Sequence, residues 1–327
     1  MRKQKMKKIL SLLAAGVLLL MSMSGCGKEA ETGKTQVAMI VKSTESAFFK
    51  SVFAGARAAA TEYNLNVTFN GPESEEDYVT QNEMVRQAME DGVDVIVFSA
   101  VDYNANAEII GQAAQRGIKI VVIDSDVNSS MVSCRIGTNN LQAGVKAAEA
   151  ALAVGEDELY IGIVNYDVNS ANGQQRELGF RQTVEQDPRV KDITTINVLS
   201  TTEDARAGAK EMLLSDSRIN VVVTFNEWTS LGVGWAIRAL DRGDRTQVVA
   251  FDSNVVSVGM LETGEVDALI VQNPYAMGYL GVETAANLIN GQTGGPSVID
   301  TATTIVTREN MYERESQKIL FSFEERK

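Results

Sequence analysis

Short, unbroken apolar runs recur along this chain: Val37 to Val41, Val95 to Phe98, Ile120 to Ile123, Ile161 to Val164, Val221 to Phe225, Val248 to Phe251 and Ala268 to Val271. A strand covered on both faces needs apolar side chains on both, so such runs predict parallel sheets sandwiched between helices. The segments between them have helical spacing; Phe49, Val52, Phe53, Ala56, Ala60 and Tyr63 share one helix face. Gly92 and Gly117 each stand just ahead of a strand, where a left-handed glycine closes the preceding helix. Repeated strand–helix units of this kind build either a single barrel or two doubly wound lobes.

The start of the chain has a different pattern. Arg2, Lys3, Lys5, Lys7 and Lys8 lead into an apolar run, Ile9 to Met21, that ends at Ser24-Gly25-Cys26. Basic residues, an apolar core and small residues before a cysteine make a lipoprotein export signal, and the run is shorter than the ~20 residues of a spanning helix. Residues 1–25 are therefore expected to be a signal peptide and Cys26 the lipid-bearing first residue of the mature protein. The small and polar residues 26–35 would be a lipidated tether. This places the protein on the outer face of the cytoplasmic membrane, lipid-anchored. Roughly 300 residues remain, enough for two domains of about 150.

Composition narrows the chemistry. The net charge is −13, and five units more negative without the leader, so nucleic acid is a poor partner. The absence of histidine from the sequence removes Ser-His-Asp and Cys-His catalysis and the commonest metal ligand. Beyond Cys26 the sequence holds only Cys134, which excludes an intramolecular disulfide framework and reads as a buried strand residue. Gly232-Val233-Gly234-Trp235 lies in a helical stretch and lacks the third glycine of a dinucleotide fingerprint, so it reads as helix packing. No catalytic residue, metal or cofactor is expected.

Doubly wound sheets bind ligands beyond the carboxyl ends of their strands. The first polar residues after the apolar runs are Lys42 and Ser43, Ser99, Asp124-Ser125-Asp126, Asn165-Tyr166, Asn226-Glu227, Asp252 and Gln272, with Trp228 as an aromatic neighbour. A carboxylate accepts two hydroxyl hydrogen bonds, amides donate and accept, and an aromatic face covers the C–H side of a sugar ring. A neutral polyol suits this set. Helix capping accounts equally well for Ser99 and Asn165, and Tyr103, Tyr166 and Trp235 read as structural.

With these strand ends, Phe48-Phe49, Arg176-Glu177-Leu178-Gly179-Phe180, Asn226-Glu227, Phe251-Asp252 and Gln272-Asn273-Pro274 make the chain resemble, over nearly all of residues 36–310, the ribose and galactose branch of the type I periplasmic binding proteins. The resemblance implies an α/β fold of two doubly wound parallel-sheet lobes joined by three crossings, near Thr138-Asn139, Gln272-Asn273 and Asp300-Thr301. The lobes would be residues 36–138 plus 273–300 and residues 139–272 plus 301–327. It further implies a pocket built from Phe48 and Phe49, one in the pocket and one in the core, with Asp124, Arg176, Asn226, Asp252 and Gln272. Lys42, Ser99, Asp126 and Trp228 join them as candidates. The chain departs from ribose-type members where Ser125-Asp126 replaces an Arg after the strand-end Asp, and where Lys42 replaces a small polar residue. Lys42 with Asp124-Ser125-Asp126 is similar to receptors for the furanosyl signal autoinducer-2. The expected function is that of a monomeric solute-binding lipoprotein that delivers a sugar or polyol to an ABC permease. The alternatives are an autoinducer-2 receptor or a sugar-sensing partner of a membrane signalling protein. Asp102 and Glu227 are candidates to meet basic permease loops from the lobe rims.

Overall fold

A computed structural model of the chain describes residues 34–292 and 295–321. The expected signal peptide, Cys26 and most of the tether lie outside the described residues. The first half runs β1 (Gln36–Ile40), α1 (Ala47–Glu62), β2 (Asn66–Asn70), α2 (Tyr78–Glu90), β3 (Val95–Phe98), α3 (Ala107–Gln115), β4 (Lys119–Ile123) and β5 (Cys134–Thr138). A second series follows: α4 (Asn140–Leu152), β6 (Leu159–Asn165), α5 (Ala171–Val184), β7 (Val190–Asn197), α6 (Thr202–Ser215), β8 (Val221–Thr224), α7 (Glu227–Leu240), β9 (Gln247–Phe251), α8 (Val255–Thr263) and β10 (Ala268–Val271). The chain closes with α9 (Pro274–Ile289), β11 (Val298–Thr301), β12 (Thr304–Thr307) and α10 (Arg314–Leu320).

Two sheets result, ordered β11-β5-β4-β3-β1-β2 and β12-β10-β9-β8-β6-β7. Each is the doubly wound 2-1-3-4-5 order with one added edge strand, and its switch point lies between the first and third strands of its series. The chain passes between the sheets after β5, after β10 and between β11 and β12. Pairing is parallel except where β12 runs antiparallel to β10, which makes the second sheet mixed at that edge. The short β11–β12 connection explains this. It carries the chain straight from one sheet to the other with no crossover helix to reverse its direction.

The apolar runs became the central strands, buried along nearly their whole length, with separate cores on the two faces of each sheet. The sequence pattern missed β2, β5, β7, β11 and β12. β2, β7, β11 and β12 are the sheet edges, and β5 alternates buried and half-buried positions, so none carries a continuous apolar run. Cys134 lies buried in β5. Gly92 and Gly117 have φ of 70° and 89°, as closing α2 and α3 requires.

Two interlocked helix pairs stand at matching places in the lobes. A Cβ on Gly55 of α1 would lie 2.0 Å from the Tyr275 carbonyl oxygen, and one on Gly278 of α9 would lie 1.9 Å from that of Val52. In the other lobe, a Cβ on Gly144 of α4 would lie 2.0 Å from the Arg176 carbonyl oxygen, and one on Gly179 of α5 would lie 2.1 Å from that of Leu141. Each pair joins the helix after a lobe's first strand to a helix that has just crossed from the other sheet. Gly232 and Gly234 pack α7 on α6 and on Met260, as the sequence suggested.

Gly144→Ala is expected to destabilise the protein by about 1–3 kcal/mol through overpacking. Gly111→Ala, in α3 with open space around the added methyl, is expected to add about 0.4–1 kcal/mol. Thermal unfolding of the two variants checks the opposite signs.

A candidate ligand cavity between the lobes

The carboxyl ends of the two sheets face each other across a small cavity of about 30 Å³. On the first lobe, β1 runs on into Lys42, which is buried. Its Nζ donates to Ser170 Oγ at 3.0 Å, lies 3.4 Å from Glu75 and stands 5.0 Å over the Tyr166 ring. Burial opposes the lysine charge, but Glu75, Tyr166 and Asp124 together outweigh it and hold the pKa above its ordinary value. Ser46 caps α1 by accepting from Phe49 N at 3.1 Å. This brings Phe48 and Phe49 to the cavity edge-to-face, with ring centroids 5.2 Å apart. Both line the cavity and both also belong to the lobe core, which corrects the expectation of one in each place.

Asp124 and Asp252 occupy corresponding positions, each just beyond a strand, with φ of 55° and 68°. Asparagine and aspartate tolerate this left-handed backbone better than other side chains. In both, the backbone N–H still bonds to the neighbouring strand, to Ile136 O at 3.0 Å and Ile270 O at 3.1 Å. The strand pairing ends there and the carboxyl turns into the cleft. Asp124 Oδ2 accepts from Ser99 Oγ at 2.9 Å and its Oδ1 from Asn172 Nδ2 of the other lobe at 3.2 Å.

Arg176, 1 % exposed, anchors the second lobe's wall. Its Nε donates to Asn140 Oδ1 at 2.9 Å, its Nη1 to Phe225 O at 2.6 Å and its Nη2 to Gln272 Oε1 at 2.8 Å, and the guanidinium lies 4.8 Å from the Phe251 ring centre. Gln272 Oε1 also accepts from Thr138 Oγ1 at 2.7 Å, while its Nε2 donates to Asp252 Oδ1 at 2.6 Å. Asn226 caps α7 with its side-chain oxygen and donates Nδ2 to Ser200 Oγ at 2.7 Å. Its amide thus both caps and lines the cavity. Burial raises the Asp252 pKa to about 7 against the opposing pull of Arg176 and Gln272, with Glu227 and Asp124 adding to the rise.

The structure brings Lys42, Phe48, Phe49, Asp124, Arg176, Asn226, Asp252 and Gln272 together around the cavity. Three other candidates stand outside its lining. Ser99 supports Asp124 from behind, Trp228 donates Nε1 to Glu75 at 3.0 Å, and Asp126 pairs with Arg135 at 2.8 Å. Glu227 is no rim residue. It is buried, accepting from Ala47 N at 3.3 Å, Phe48 N at 3.2 Å and Asn254 Nδ2 at 3.1 Å, and burial raises its pKa. Tyr166, read as structural, lines the cavity, and its hydroxyl donates to Asn172 Oδ1 at 2.6 Å. Sequence reasoning missed Glu75 and Asn172. Glu75 sits in an acidic run that reads as a solvated face, whereas Asn172, one helical turn before Arg176, was findable from its spacing. Lys42–Ser170, Asp124–Asn172, Glu75–Ser200 and Glu227 on the start of α1 all bridge the lobes, so the cavity is closed.

A model of the periplasmic binding protein domain matches residues 37–293. The chain belongs to that family. It therefore stands among binding proteins rather than enzymes. It is 28% identical over 321 residues to the D-ribose/D-allose-binding protein of Pseudomonas aeruginosa, covering 92% of this chain and 99% of that one. The structure is similar to a carbohydrate transporter solute-binding protein from Agrobacterium radiobacter in complex with D-arabinose, with a TM-score of 0.86 and 27% identity over 88% of this chain and 99% of the other. An ABC transporter solute-binding protein from Agrobacterium vitis with bound D-fucose gives a TM-score of 0.84 and 26% identity over 87% and 99%. Among the described residues of this family member, no helix is long and apolar enough to cross a membrane.

The Asp252 pKa implies a pH dependence. An acid whose pKa is higher folded than unfolded binds more protons in the native state between the two values, so stability falls as pH rises from about 4 to about 7 and then levels off. Asp252→Asn keeps the backbone conformation and removes that loss. Its midpoint relative to wild type is expected to be higher at pH 8 than at pH 4.5, read by thermal melts without ligand.

Proposed function

We propose that this protein is an extracytoplasmic solute-binding lipoprotein that captures a sugar or sugar-like polyol between its lobes and delivers it to an ABC importer. The observation that carries the reading is the convergence of Asp124, Arg176, Asn226, Asp252 and Gln272 with Phe48 and Phe49 on one closed cavity. Carboxylates and amides grip hydroxyls, the guanidinium donates to ring oxygens, and the phenyl faces cover C–H edges. The sugars bound in the similar Agrobacterium proteins support the ligand class. The leader ending at Cys26 supports a lipid anchor.

A cavity enclosed by bonds between lobes admits a solute only when the lobes part. The described chain passes between the two sheets at three crossings, so these are the natural hinges, and residues 36–138 with 273–300 would move against residues 139–272 with 301–327. Ligand favours the closed state by the difference between its affinities for closed and open forms. The closed form is then what the permease reads. Lys42 with Asp124-Ser125-Asp126, of which Lys42 and Asp124 line the cavity, favours autoinducer-2, and that signal joins the ligand panel as a second reading.

Calorimetric titration of the ligand-stripped protein with pentoses, hexoses, inositols and autoinducer-2 is expected to give saturable binding to at least one. Asp124→Ala and Asp252→Ala are each expected to weaken that binding by about tenfold or more, the loss of a charge-assisted hydrogen bond. Silence across the panel would remove the reading. Metabolic labelling with palmitate is expected to mark the wild-type protein and not Cys26→Ala.

A further inference from the structure

Four acidic side chains, Glu75, Asp124, Glu227 and Asp252, line the cavity with only two basic ones, Lys42 and Arg176. Both cations direct donors at the protein itself. Arg176 donates to Asn140, Phe225 and Gln272, while Lys42 donates to Ser170 and pairs with Glu75. Three of the acids are answered too. Glu75 faces Lys42 and accepts from Trp228 and Ser200, Glu227 takes the first N–H groups of α1 and the Asn254 amide, and each oxygen of Asp124 accepts one hydrogen bond.

Asp252 is different. It is 6 % exposed and lines the cavity, its Oδ1 accepts from Gln272, and its Oδ2 has no hydrogen-bond partner or cation within ion-pairing distance among the described residues. A buried carboxyl in this state is costly unless something supplies donors and positive charge. The upward shift of its proton affinity has the same origin.

A neutral hydroxyl would supply one donor and no charge. A protonated amine supplies three donors, no acceptor and one positive charge, and the Phe48, Phe49 and Tyr166 rings that share the cavity are compatible with a cation. A metal ion is the other way to bring charge, but among the described residues no group of three or more His, Cys, Asp or Glu side chains is arranged to hold one.

We propose that the ligand is an amino polyol, a sugar or cyclitol with one hydroxyl replaced by a protonated amine that is received by Asp252 Oδ2. The proposal rests on the sugar-polyol reading and sharpens it. Its test is calorimetric titration of the intact chain at pH 7 with D-glucosamine, D-galactosamine and myo-inosamine, each beside its neutral parent and its N-acetyl form. At least one amine is expected to bind about tenfold or more tightly than both neutral counterparts. In Asp252→Asn, which accepts the same left-handed backbone, that advantage should shrink to about twofold or less. A neutral parent that binds as well as its amine overturns this proposal and leaves the sugar reading standing. An amine preference that survives in Asp252→Asn overturns the assignment to Asp252. Silence in every arm overturns both readings together, and a thermal melt of Asp252→Asn separates lost binding from lost folding.

Discussion

The buried guanidinium of Arg176 is the constraint on which the rest of the cleft depends. Taking a charge of that kind out of water costs several kcal/mol unless its donors are met. Here an amide, a strand-end carbonyl and a second amide meet three of its five N–H donors, and each comes from a different part of the fold. Asn140 begins the helix that follows the first crossing, Phe225 follows β8, and Gln272 follows β10 at the second crossing. Their convergence requires α4 and α5 to approach to backbone contact, which Gly144 and Gly179 allow. Gln272 extends the chain to Thr138 at the end of β5, so a ligand-facing cation is tied to the strands at two of the three crossings. Arg176 is therefore linked by hydrogen bonds to the places where the lobes join.

The two lobes solve the same problem twice. Each has a 2-1-3-4-5 sheet, a glycine-interlocked helix pair and a strand-end aspartate in left-handed conformation. Equivalent elements place equivalent groups on opposite walls of the cavity. The electrostatics break this likeness. Asp124 has a hydrogen bond on each oxygen, whereas Asp252 has one on Oδ1 alone among the described residues. The two walls therefore present unlike carboxylate acceptors to the cavity.

Much of the fold was legible in the sequence. A strand buried on both faces must be apolar throughout, so Val95–Phe98 or Val221–Thr224 declares itself, and the residue that follows it is at the cleft by topology. Asp124, Asn226, Asp252 and Gln272 were found that way. Edge strands gave no such signal, since one side of β2 or β7 meets water. Glu75, and the cross-lobe role of Glu227, were illegible for another reason: an acid that pairs with a lysine or caps a helix in the opposite lobe looks, in one dimension, like any surface acid.

The sequence by itself determined buried parallel strands alternating with helices, the strand ends that carry ligand chemistry and the exclusion of histidine-based catalysis, because burial and covalent composition are properties of local pattern and residue type; two lobes rather than one barrel followed only from the family resemblance. Only the tertiary structure decided which acids answer which cations across the cleft, that Tyr166 faces the cavity and Asp126 does not, and that Asp252 keeps an unanswered oxygen. Those facts depend on distances of a few ångströms between residues more than a hundred positions apart in the case of Lys42 and Ser170, and hydrogen bonds and desolvation are decided at that range.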